Sequence, residues 1–219
     1  GISGCGGGCG GGVRCSRYAL TSIIVMDTSS SMSETDDNGV VRIEGARQAI
    51  ADYLNEVDSN ARVGLRAYPS DGDCGGGTLV IPPQRVDKGK INQTVARLEP
   101  AGNTPTHIAL EAALEDLPDS GFRTIILVSD GEGNCGGENG ASCEVARQVA
   151  ASGVDLTFNT VGFQISDAGE QELQCISDAT KGSYKTVNDG EELANELNAL
   201  TEPRLTITMD CLLYTSPSP

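Results

Sequence analysis

The chain has 219 residues and a formal net charge of −16, from 31 acidic against 15 basic residues. At this length a folded chain buries roughly 70% of its unfolded surface, so a core can form without a metal to build it. An acidic surface repels phosphate backbones, which argues against nucleic acid as a partner, and no run of 18 apolar residues is present to span a bilayer.

Ala19 to Met26 is the first predicted strand. Its run Ile23-Ile24-Val25-Met26 is continuous and rich in β-branched residues, as in a strand covered on both faces. A polar loop from Asp27 to Gly39 follows. Ile43, Ala46, Ala49, Ile50, Tyr53, Leu54 and Val57 then recur at helical spacing. Arg62 to Tyr68 alternates as a second strand. Thr78 to Ile81 is a short third, closed by Pro82-Pro83. Ile91, Val95 and Leu98 mark a short helix, and Pro105 sits just inside another that carries Ile108, Leu110, Ala113, Leu114 and Leu117. Thr124 to Val128 is again a doubly covered strand. Next come a helix near Ser142 to Ser152, a strand from Val154 to Val161 and a helix near Ala168 to Thr180. A short strand near Ser183 to Val187 and a helix from Gly190 to Leu200 complete the series, and Leu205 to Met209 alternates like one strand more. Strands alternating with helices at this rhythm predict a doubly wound α/β domain, its mostly parallel central sheet flanked by helices on both faces. Ligands in such sheets bind beyond the carboxyl ends of the strands, where strand order reverses.

The two ends read differently from the middle. Residues 1–17 form a Gly- and Cys-rich leader or tether, and Ile2-Ser3-Gly4-Cys5 resembles the end of a bacterial lipoprotein signal, which makes Cys5 the candidate for lipidation and implies a lipid anchor. Residues 18–202 are the domain, 203–210 would open a further β element, and 211–219 have the character of a non-native tail, without periodicity. The eight cysteines, with CxxC spacing absent and His107 the only histidine, argue for disulfides and not zinc. That places the protein outside the cytoplasm, in a periplasm, at an outer membrane or secreted.

Three loops at strand ends share one chemistry. Asp27-Thr28-Ser29-Ser30-Ser31 follows the first strand, Gly102-Asn103-Thr104-Pro105 precedes a helix, and Ser129-Asp130-Gly131-Glu132 follows the central strand. Their polar side chains are hydroxyls, carboxylates and one amide, hard oxygen ligation suited to Mg²⁺, Mn²⁺ or Ca²⁺. Each piece has a plainer meaning by itself: a turn rich in capping residues, an N-cap Thr104 followed by proline at the first helical position, and an Asp-Gly turn.

Together and in this order, DxSxS, GxT-P and SDG-E resemble the metal-ion-dependent adhesion site of the von Willebrand factor A family, bacterial extracytoplasmic type. The match covers about Tyr18 to Glu202. The resemblance implies that Ser29, Ser31 and Thr104 offer hydroxyls to one Mg²⁺ (Mn²⁺ or Ca²⁺ in its place), and that Asp27 and Asp130 bind it directly or through water. It implies an open position that takes a Glu or Asp from a protein partner. It also implies a disulfide between Cys135 and Cys143, which flank the Gly-rich loop after Asp130. Cys74 and Cys175 could pair too, and the sequence does not set the connectivity. Nothing in it fixes the oligomeric state.

An enzyme fits less well. Ser29 stands where the DxD pattern of phosphatases needs its second aspartate, and neither GxxxxGK[ST] nor GxSxG occurs. The expectation is therefore a cation-dependent protein-binding module without catalytic residues. The alternatives are a structural module of a larger cell-surface or channel-associated protein and, last, a Mg-dependent hydrolase.

Overall fold

The runs that read as doubly covered strands lie at the centre of a six-stranded sheet. The computed structural model describes residues 21–36, 38–57, 61–69, 74–131, 133–136 and 140–201. Its elements are β1 (Thr21–Asp27), α1 (Arg42–Glu56), β2 (Arg62–Tyr68), β3 (Thr78–Arg85), α2 (Lys88–Val95), α3 (Thr106–Asp116), β4 (Arg123–Ser129), α4 (Ala141–Ser152), β5 (Leu156–Phe163), α5 (Asp167–Ala179), β6 (Tyr184–Val187) and α6 (Gly190–Thr201). The strand order is β3-β2-β1-β4-β5-β6. All neighbours are parallel except β2 and β3.

Alternation along β1 and β4 sorts the core into two layers. Ile24, Met26, Ile126 and Val128 pack with Ile43, Ile50 and Leu54 of α1 and with Leu193 and Leu197 of α6. Ile23, Val25, Ile125 and Leu127 face the other way, onto Leu110 of α3, Val145 of α4 and Leu173 and Ile176 of α5. Most of these side chains are 0–3% exposed, and each contributes about 1.5–3 kcal/mol by leaving water. A central strand with both faces covered needs an unbroken apolar run, which explains the sequence of Ile23 to Met26.

The third strand is longer than its prolines imply. It does not stop at Ile81 but runs through Pro82 and Pro83 to Arg85. It is the edge strand, antiparallel to β2 with register shifts at Val63/Leu65 and Leu65/Arg66. A missing N–H costs nothing on the open side of an edge.

The cysteine pairing also departs from expectation. Cys135 and Cys143 are not bonded to each other: Cys135 pairs with Cys74 and Cys143 with Cys175. The reason is packing. Cys143 sits in the first turn of α4, which lies along α5, so its Cα comes within 5.5 Å of that of Cys175. Cys135 lies in the β4–α4 loop, 5.4 Å by Cα from Cys74 in the β2–β3 connection. Both separations lie in the bridging range. Cys5 and the rest of the leader, the alternation at Leu205 to Met209, and the tail with Cys211 lie outside the described residues.

Candidate metal centre

Strand order reverses between β1 and β4. The chain leaves β1 through α1 toward β2 on one side, and returns to β4 on the other. The two strands run parallel in register, with Met26 opposite Val128, so their carboxyl ends coincide. Asp27 ends β1, and Asp130 follows directly after β4. The fold therefore forces two carboxylates to the same crevice before any loop is considered.

Local hydrogen bonds then shape the loops. Asp27 Oδ1 accepts the Ser29 N–H at 2.8 Å, turning the chain back over the strand end. The short 3-10 turn Ser30–Ser33 follows. The Ser29 and Ser31 hydroxyls meet at 3.0 Å, and Ser31 Oγ donates to Asp130 Oδ1 at 2.7 Å. One chain of contacts thus joins the first and third predicted loops. The Gly102 loop is pinned to them as well: the Ser30 N–H and Oγ both donate to Gly102 O at 3.0 Å, and the Ala101 N–H donates to Thr28 O at 2.8 Å. Gly102 has φ +81, a left-handed turn that a side chain would resist.

Thr104 is held by its backbone. Its N–H donates to Asn134 Oδ1 at 2.7 Å, and its carbonyl accepts the Asn134 N–H at 3.1 Å. That double clasp leaves Thr104 outside the helix, so it is not the N-cap. The cap position belongs to Pro105, α3 begins at Thr106, and no side chain caps it. Thr104 is buried, 4% exposed.

Four further residues support the site, and of these only Ser129 stands in a motif read from the sequence. Ser129 Oγ donates to Asp27 Oδ2 at 2.7 Å, and Tyr68 OH lies 3.4 Å from the same oxygen. Burial and the Asp27 charge push the Tyr68 phenol well above its usual range, so it remains a donor. Arg42 Nη1 stands 2.9 Å from Asp130 Oδ2, and Asn134 holds Thr104 as described. Of the other three, an Asn in a Gly-rich loop and an Arg opening a helix could have hinted at two.

Asp27 is fully buried. Burial, then the charge of Asp130, raise its pKa from 3.8 to about 6, against hydrogen bonds from Ser29 and Ser129. A buried acid of raised pKa beside a second carboxylate, among serine hydroxyls and with the Arg42 guanidinium on the far acid, is a setting that a hard divalent cation can relieve. Among the described residues no three His, Cys, Asp or Glu gather in one place, so such a cation would rest on two carboxylates and neutral oxygens. A groove of about 670 Å³ lies alongside, lined by His107, Asn134, Cys135, Cys143, Arg147 and Glu172 among others. It contains none of Asp27, Ser29, Ser31, Thr104 or Asp130.

The model of the von Willebrand factor type A domain matches residues 22–132, and the chain belongs to that family. The uncharacterized protein YwmD of Bacillus subtilis is 23% identical over 188 residues, 80% of this chain and 83% of that protein. The vWF domain of the type V pili tip protein Mfa5 from Porphyromonas gingivalis superposes with a TM-score of 0.66 at 14% identity, covering 85% of this chain and 95% of that one. The manganese-loaded Plasmodium vivax TRAP protein superposes with a TM-score of 0.63 at 19% identity, covering 89% and 76%. At these identities the structural likenesses establish the fold.

Proposed function

We propose that this chain is a divalent-cation-dependent protein-binding module that grips a Glu or Asp of its partner, and that it is not an enzyme. The supporting observation is the hydrogen-bonded convergence of Asp27, Ser29, Ser31 and Asp130 at the switch point, with the Thr104 loop tied to both sides. These five residues would hold Mg²⁺, with Mn²⁺ and Ca²⁺ as alternatives of the same hard class. When bound, the cation supplies an electrophilic position for an outside oxygen. The chain's own part is to present two charges and three neutral hydroxyls, too few negative charges to saturate that position. A neighbour that is a pilus tip protein and another solved with manganese favour the same reading.

The domain is proposed to span 18–202. The two disulfides agree with a place outside the cytoplasm, and no described helix is long and apolar enough to cross a membrane. Capture of envelope proteins on immobilised full chain, with Mg²⁺ and with chelator, tests the function. Partner binding should vanish with chelator and in Asp27→Asn while circular dichroism stays unchanged. Capture that persists in chelator, or a metal-dependent phosphatase activity lost in Asp27→Asn, would overturn it.

A further inference from the structure

Arg42 places a fixed positive charge against the site. It is the first residue of α1, and its Nη1 lies 2.9 Å from Asp130 Oδ2 and 3.4 Å from Glu34 Oε2. The Arg42 and Asp130 side chains are 13% and 0% exposed, whereas Glu34 is 66% exposed. Water screens Glu34, so Asp130 is the partner that counts. Arg42 Nε donates to Gln164 Oε1 at 3.3 Å. Gln164 is itself anchored, its N–H on Val187 O at 3.1 Å and its Nε2 on Asn188 O at 3.3 Å. Swinging Arg42 away would strand a buried carboxylate oxygen, so the guanidinium stays.

A guanidinium one carboxylate away from a divalent ion opposes the binding of that ion. Its benefit appears only once the site is loaded. Asp27 and Asp130 together cancel the two charges of the cation and leave a neutral centre with a weak hold on an external anion. Arg42 adds one positive charge, which the solvent-screened Glu34 offsets only in part. No acceptor among the described residues takes its Nη2, whose donors suit the second oxygen of a carboxylate.

We propose, resting on the metal-site reading above, that Arg42 is the specificity-determining residue: its guanidinium keeps the loaded site net positive, weakening cation binding and strengthening the grip on a partner carboxylate. A residue that merely braces Asp130 would act differently, because its loss would weaken both.

The test uses the full chain, Mn²⁺ as the cation and N-acetyl-glutamate amide as the carboxylate probe. Calorimetry reads the first affinity, and water-proton relaxation of the Mn²⁺-loaded protein reads the second. Arg42→Gln should bind Mn²⁺ about tenfold more tightly and the glutamate probe about tenfold more weakly, the order that loss of one well-screened unit charge carries. Arg42→Lys, which keeps the charge but not the planar fork, should hold Mn²⁺ affinity within about threefold. If Arg42→Gln fails to fold, Arg42→Met keeps the packing of the stem and serves instead. Unchanged or weaker Mn²⁺ binding on loss of the charge, or undiminished glutamate capture, overturns the role of Arg42 alone. If the parent itself binds no Mn²⁺, the metal-site reading falls and this inference falls with it.

Discussion

Replacing Asp27 by asparagine should make the metal-free protein more stable, not less. The carboxylate is fully buried beside Asp130, and its pKa rises from 3.8 to about 6. An acid whose folded pKa lies above its unfolded value keeps its proton longer in the folded state. The associated stability is present in full below about pH 4 and is lost as pH rises through about 6. The shift is worth roughly 3 kcal/mol by pH 8. Asparagine has nearly the same shape and no charge. Its oxygen can still accept the Ser29 N–H, and the Ser129 hydroxyl can turn to Gly131 O, already 3.1 Å away. Allowing about 1 kcal/mol for the poorer hydrogen-bond fit of the amide, chelated Asp27→Asn should exceed the chelated parent by about 2 kcal/mol at pH 8 and should not exceed it at pH 4. Cation at about 100 times its dissociation constant adds ~2.7 kcal/mol to the parent alone, so the order reverses. Urea titrations of both proteins at pH 4 and 8, with chelator and with Mg²⁺, measure all eight values. A chelated variant no more stable than the parent at pH 8 would refute the burial argument. A variant that gains as much from Mg²⁺ as the parent would remove Asp27 from the site.

Two further outcomes follow from the same geometry. Thr104→Val exchanges a hydroxyl for a methyl at a buried position that caps no helix. Its stability in chelator should stay within about 0.5 kcal/mol of the parent, while Mg²⁺ affinity falls about tenfold by calorimetry. An equal loss of stability with and without Mg²⁺ would assign the hydroxyl to the fold instead. The double change Cys143→Ser with Cys175→Ser opens a cross-link that spans 32 residues, worth about 3–4 kcal/mol in the chain-entropy account, and should lower the urea midpoint accordingly. Because this bond ties α4 to α5 and touches none of the five proposed ligands, Mg²⁺ affinity should change less than about twofold.

What could be read from the sequence was what the backbone topology alone decides. Ile23 to Met26 and Ile125 to Val128 read as central strands because burial on both faces demands unbroken apolar runs. Asp27 and Asp130 read as a pair because each stands at the end of one of those strands in a motif resembling the family's, and the structure makes those strands parallel neighbours. What could not be read was decided by contacts between loops. Thr104 looked like a helix cap until the clasp by Asn134, 30 residues on, pulled it out of the helix. The family resemblance pairs Cys135 with Cys143, as they flank one loop, but the packing of α4 on α5 turns Cys143 elsewhere. Pro82 and Pro83 looked like a stop because one strand read alone does not reveal that it lies at an edge.

The same division explains why the centre has redundant support. Each carboxylate reaches the crevice by strand register, which loop sequence cannot easily undo. Each is then trimmed by a residue distant in the chain, Ser129 for Asp27 across 102 positions and Arg42 for Asp130 across 88. These trimming residues do not determine whether the acids meet. They determine the charge and orientation the pair presents to anything that enters. Substitutions at Asp27 or Asp130 should therefore abolish the site, whereas substitutions at Arg42 or Ser129 should retune it, and metal affinity measured across the two groups would separate them.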